Sequence, residues 1–250
     1  MIEELLAARV YDLEQPRYAG APSHPAHEPG MVLTLHRHHE RGAAEPRTGA
    51  SAMVYMAEHS GTHIDALCHQ AYDGRMHGDL EVTPRVQTST GFTTLGIDTV
   101  APIVRRGVLL DVAGVHSVGP ADLERAAEGI EIRPGDVVLV RLGSGALWSD
   151  PAAFKAAGGV TADGSRWLAA RRPYAVGADN LAWDLIDEPD PELGSIPGHT
   201  ILIVQQGIHI IEMLHLEELA HDGVREFGFV CLPLKFRGGT GSPVRPIALV

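Results

Sequence analysis

The segment Glu58-His59-Ser60-Gly61-Thr62-His63-Ile64-Asp65-Ala66-Leu67-Cys68-His69 packs three histidines and one aspartate into the eleven positions 59–69. Imidazole nitrogens and carboxylate oxygens are the side-chain ligands that hold zinc and manganese. The backbone decides whether they can meet. On one helix His59 and His63 would share a face and Asp65 would point away from both. On a strand His63 and Asp65 share a face at period two. Gly61 then supplies a bend that swings His59 back toward the same point. The spacing therefore predicts an extended segment with a glycine bend, and a metal centre as its chemistry. Surface histidines, or core histidines satisfied by hydrogen bonds, are the alternative.

Residues 1–50 are irregular, broken by Pro16, Pro22, Pro25 and Pro29, with short strands expected over 10–13 and 31–35. Apolar runs at 107–115, 137–142, 174–179, 201–205 and 227–234 suit buried strands, and 246–250 a last one. Helices are expected over 120–129, opened by Pro120 and stopped by Gly129, and over 163–172. Strands alternating with helices predict an α/β protein. The turn-rich, β-like front part favours a mixed sheet over a purely parallel one. Neither a repeat nor a flexible linker divides the chain, so 1–250 is read as one domain.

Composition narrows the function classes. The 250 residues carry 20 Lys+Arg against 32 Asp+Glu, a formal charge of −12. That balance argues against a nucleic-acid backbone or an anionic membrane as partner. Two cysteines, Cys68 and Cys231, make no disulfide framework, which fits a cytoplasmic location. The amino terminus lacks the apolar core of a signal peptide, and no run of 18 apolar residues is present.

The stretch HSGTHIDALCH resembles the His-x-Gly-Thr-His-x-Asp-x-x-x-His signature of the cyclase family of metal-dependent hydrolases, which includes bacterial kynurenine formamidases and isatin hydrolase. YDLEQP, GVLLDVAG, RPGDVVLVR and GSPVRPIALV extend the likeness over nearly the whole chain. The resemblance implies a mixed or barrel-like β core flanked by helices, of the swivelling β/β/α type. It implies metal ligands at His59, His63 and Asp65 and a general acid/base at His69. Many members carry proline where this chain has Leu67, a change that removes no ligating atom. His199 and Glu212 are the candidates for the later His and Glu that complete a second zinc site in the formamidases. Isatin-hydrolase-like members hold one manganese and carry Gln in place of that Glu. One or two Zn²⁺ or Mn²⁺ ions therefore remain open.

The residues agree with that reading. His199 precedes the apolar run at 201–205, and Glu212 lies inside the run 208–214, where a carboxylate is costly to bury unless paired or bound to a metal. A surface glutamate at a helix start is the alternative for Glu212. Cys68 and Cys231 read as small core residues, with Cys68 as thiolate ligand or nucleophile the lesser alternative. His36, His38 and His39 line a pocket or lie on a solvated or intersubunit loop. His77 and Asp79 mark the site rim or an ordinary turn. His24 and His27 are expected to be exposed, and His116, His209, His215 and His221 show no partner pattern. Asp179 caps the next segment or contacts substrate. Arg237-Gly238-Gly239-Thr240-Gly241-Ser242 lacks the Gly-Lys-Ser/Thr ending of a phosphate loop, and no Gly-x-Ser-x-Gly elbow is present.

These readings converge on a metal-dependent hydrolase of a small amide, lactam or lactone. The alternatives are a lyase or cyclase on the same metal site, and a non-catalytic metal- or small-ligand-binding protein. A small-molecule substrate and a homodimer or homotetramer are the expected partners.

Overall fold

The computed structural model describes residues 2–42 and 44–250. Among the described residues, eleven strands of three or more residues organise it: β1 (Val10–Asp12), β2 (Met31–Arg37), β3 (Ser51–Met56), β4 (His63–Asp65), β5 (Ile103–Asp111), β6 (Val137–Arg141), β7 (Ala175–Ala178), β8 (His209–Glu212), β9 (Glu226–Cys231), β10 (Gly241–Pro243) and β11 (Ile247–Leu249). Nine of them form one curled mixed sheet in the order β1-β11-β9-β5-β6-β7-β8-β4-β10. Its centre, β5-β6-β7-β8, is parallel, and both flanks are antiparallel. The mixed α/β architecture is as expected, with edge strands β1 and β10 in place of a closed barrel.

The central strands read as continuous apolar runs because both faces are covered. Val137 and Leu139 of β6 join one core cluster with Leu109, Ile211 and Phe229. Val138 and Val140, one residue out of phase, join the other with Leu123, Leu168 and Ile201 from the helical side. Helices Pro120–Ala126 and Ala162–Ala169 fall where the sequence puts them.

One element differs from expectation. The run 201–205 is a π-helix, Thr200–Gln205, continuing the short helix Pro197–His199. A five-residue apolar run has no period that separates buried strand from buried helix. Pro197 at the helix start and packing against Ala162–Ala169 decide it. His199 thus projects from a helix, not from a strand edge.

Asp179, at the end of β7, corrects a second expectation. Its buried carboxylate accepts the N–H groups of Leu142, Gly143 and Gly145, so it caps the loop after β6 rather than the segment that follows it. The ribbon of β2 and β3 stands outside the main sheet, and most of its residues are exposed. Among the described residues no helix is long and apolar enough to cross a membrane.

Candidate metal centre

The site forms where β4 runs between β8 and β10. Registration places Glu212 opposite His63 and Gly241 opposite Asp65. His63 and Asp65 share the site face, while Ile64 and Ile211 pair on the opposite face, in the core. Gly61, at φ +61°, makes the bend that returns His59 toward Asp65. The extended segment with a glycine bend is therefore observed.

His59, His63, Asp65, His199 and Glu212 come together and all are buried. His59 Nδ1 lies 2.8 Å from Asp65 Oδ1, and His63 Nε2 lies 3.6 Å from the same oxygen and 3.3 Å from Glu212 Oε2. His199 Nε2 is 3.5 Å from Asp65 Oδ2 and 3.2 Å from Glu212 Oε1. Two groups have their ligand atoms within 4.8 Å of one another: His59, Asp65 and His69, and Asp65, His199 and Glu212. Asp65 belongs to both.

The donor set fits a cation. His63 Nδ1 bonds the Gly61 carbonyl at 2.8 Å and His199 Nδ1 bonds Asp184 Oδ2 at 2.7 Å, so both Nδ1 atoms carry protons. Each Nε2 is left to face the carboxylates. His59 Nδ1, both oxygens of Asp65 and Glu212 Oε1 are buried without a hydrogen-bond partner. Their closeness is a convergence of lone pairs whose angles do not suit N–H donation. Such a set is stable only with positive charge inside it. The protein shows that demand in its own proton affinities. Burial works to lower His199, but the hydrogen bond to Asp184 and the nearby Asp65 and Glu212 carboxylates outweigh it and hold His199 well above the usual range. Glu212, against the penalty of burial, is held low by His199 and His63.

His69 stacks on His59 with ring centroids 4.0 Å apart and lies 6.0 Å from His199. Burial pushes it down to about 3, against the attraction of Asp65. It is a neutral imidazole beside the cluster, inside the reach of Asp65 rather than beyond it. His27 stacks on His59 at 4.8 Å and is half-buried, as is His24; neither is exposed as expected. Proline-rich chain reads as solvated, but here Pro25–His27 is a 3₁₀ turn folded against the site.

Other candidates fall outside. Cys68 is buried, its Sγ donates to the Gly239 carbonyl, and burial pushes its thiol up to about 12, as for a small core residue. His77 bonds the Val204 carbonyl and Asp79 is exposed, an ordinary turn. His36 and His39 bond Ser51 and Thr48 on the exposed ribbon and the loop beyond it.

Four neighbours escaped the sequence reading. Asp184 orients His199 and also accepts the backbone N–H groups of Gly198 and His199. His209 donates to the Asp65 carbonyl at 2.8 Å. Thr240 bonds both His59 and Glu58. No spacing announces Asp184 or His209. Glu58 borders the signature, and Thr240 lies in the glycine-rich run 237–242.

The profile of the cyclase family matches residues 11–185. The chain belongs to the cyclase family. This family member is 30% identical to kynurenine formamidase of Bacillus cereus over 194 residues, 77% of this chain and 76% of that protein. It is 28% identical to isatin hydrolase of Roseibium aggregatum over 234 residues, 87% of this chain and 81% of that protein. Its fold superposes on a novel cyclase with a TM-score of 0.86 at 27% identity, covering 100% of this chain and 89% of that one.

Proposed function

We propose that this cyclase-family enzyme is a metal-dependent hydrolase that cleaves the C–N bond of a small amide or cyclic amide, with an aryl formamide or an isatin-like lactam as substrate and a lactone as a further possibility of the same chemistry. The observation that carries the reading is the convergence of the His59, His63 and His199 nitrogens on Asp65 and Glu212, with a neutral His69 stacked alongside. The relatives named kynurenine formamidase and isatin hydrolase supply the substrate class.

His59, His63, Asp65, His199 and Glu212 would hold one or two Zn²⁺ or Mn²⁺ ions. Held there, such an ion supplies a Lewis acid for the substrate carbonyl and an acidified water. Asp184 and the Gly61 carbonyl keep His199 and His63 in the tautomer whose Nε2 is free to ligate. His69, neutral at working pH, accepts the proton of the attacking water and returns it to the leaving nitrogen. His27 covers the His59–His69 pair and limits access of bulk water. Assembly into a homodimer or homotetramer through the exposed ribbon of β2 and β3 is part of the same reading.

The test is metal analysis of the purified protein, then chelation and reconstitution with Mn²⁺ or Zn²⁺. Aryl formamides, isatin-like lactams and lactones are the assay panel. Activity that follows metal content on one of these supports the proposal. Bound metal with no turnover on any of them would count against the substrate class, and full activity without metal would overturn the mechanism.

A further inference from the structure

Thr240 and Glu58 act as one unit on His59. Glu58 Oε2 accepts two hydrogen bonds from Thr240, from its backbone N–H at 2.9 Å and from its hydroxyl at 2.7 Å. A carboxylate offers only acceptors, and a threonine hydroxyl has a single hydrogen. With that hydrogen given to Glu58, Thr240 Oγ1 has only lone pairs left for His59 Nε2, 2.8 Å away. His59 Nε2 must therefore carry a proton and donate it to Thr240. The other ring nitrogen, Nδ1, faces Asp65 Oδ1 at 2.8 Å and makes no hydrogen bond.

The surrounding chain is shaped to hold this arrangement. The Thr240 carbonyl accepts the N–H of Ala66, one residue beyond β4. A Cβ on Gly239 would stand 2.4 Å from Glu58 Oε1, and a Cβ on Gly241 would stand 2.6 Å from His59 Cε1. Glycine on both sides of Thr240 is thus what lets the strand close on both partners.

We propose that the Glu58–Thr240 pair is a positioning device that sets the tautomer of His59, so that this histidine ligates through Nδ1 whereas His63 and His199 ligate through Nε2. The tautomer follows from the hydrogen bonds alone; only its consequence for metal affinity rests on the metal-centre reading.

The test compares wild type with Thr240→Val, Thr240→Ser, Glu58→Gln and His63→Ala in the full-length protein. Zn²⁺ affinity is measured by competition with a chelator, and ¹⁵N-histidine NMR reads the protonated nitrogen of His59 in the Zn²⁺-loaded protein. Wild type and Thr240→Ser should show an Nε2-protonated His59. Thr240→Val should lose that hydrogen-bonded proton signal and bind Zn²⁺ about 10–100-fold more weakly, the usual cost of losing an outer partner of a ligand. Glu58→Gln, which can donate back to Thr240, should weaken binding in the same direction. Thermal melts establish that each variant is folded, and the serine variant separates the hydroxyl from mere packing. An Nδ1-protonated His59 in wild type would overturn the proposal. So would unchanged Zn²⁺ affinity in Thr240→Val when His63→Ala has lost the ion. Unchanged affinity in both variants would instead overturn the metal-centre reading.

Discussion

Glu212 lies directly across the β4–β8 pair from His63, with its Oε2 3.3 Å from His63 Nε2. The two residues are 149 positions apart in the chain (212 − 63), and one antiparallel register makes them neighbours. A slip of one residue would turn Glu212 to the opposite, apolar face of the sheet. The buried carboxylate and the histidine are thus positioned by the same backbone hydrogen bonds that build the sheet.

His63→Ala and Asp65→Asn should each remove bound metal and activity together. The loss in metal affinity should exceed the roughly 10–100-fold that an outer partner costs, because both side chains belong to the converging donor set. Metal content measured beside kcat/KM checks it. Retention of stoichiometric metal by Asp65→Asn would show that Asp65 is not a ligand.

His69→Ala separates proton transfer from metal holding. The variant should keep metal near wild-type stoichiometry and lose about 10²–10⁴-fold in kcat, the range for a positioned acid/base. The loss should be steepest for substrates with poor leaving groups. Since His69 falls within reach of Asp65 and His59, loss of the ion in this variant would reassign it as a ligand.

Asp184→Asn should leave the fold intact and weaken metal binding by about 10–100-fold. Asp184 holds the Nδ1 proton of His199, and the neutral amide holds it less firmly. Chelator competition and a thermal melt together decide it. An unchanged affinity would show that the helix alone orients His199.

Asp179 predicts a pH dependence of stability. Burial pushes its carboxyl up to about 6, although the N–H groups of Leu142, Gly145 and Gly143 pull the other way. A carboxyl whose folded value is raised is favoured in its protonated form by folding. Its contribution is present below the unfolded value and is lost as pH rises through about 6. The unfolding free energy of wild type relative to Asp179→Asn should therefore fall by about 2 kcal/mol from pH 4 to pH 6.5. Denaturant titrations of both proteins at a series of pH values measure it. A difference that stays flat would show that the three N–H bonds cancel the burial.

The ribbon predicts assembly. Tyr55 is 73% exposed and Met53 68%, with Leu33, Leu35 and Val54 also open on an isolated two-stranded ribbon, which is marginal in water by itself. Light scattering should report a homodimer or homotetramer, and Met53→Lys with Tyr55→Lys should shift it toward monomer. A fully active wild-type monomer at micromolar concentration would refute this.

The local half of the site is legible in the residues of one segment. His59, Gly61, His63 and Asp65 lie within seven positions, 59–65, so period-two geometry and one bend bring them together with little help from the rest of the chain. The apolar runs likewise announced most strands of the central sheet, because strands covered on both faces have no polar side to hide. The other half depends on long-range packing. His199 comes from a helix that its own apolar run cannot distinguish from a strand, and Glu212 from a register that no local pattern encodes. Asp184, His209, Thr240 and Glu58 enter through hydrogen bonds, which specify a partner by position and not by spacing. His27 reads as exposed in the sequence because a proline-rich segment looks solvated until another surface covers it. Side-chain periodicity reports which face of an element is buried; it carries no information on which distant element buries it.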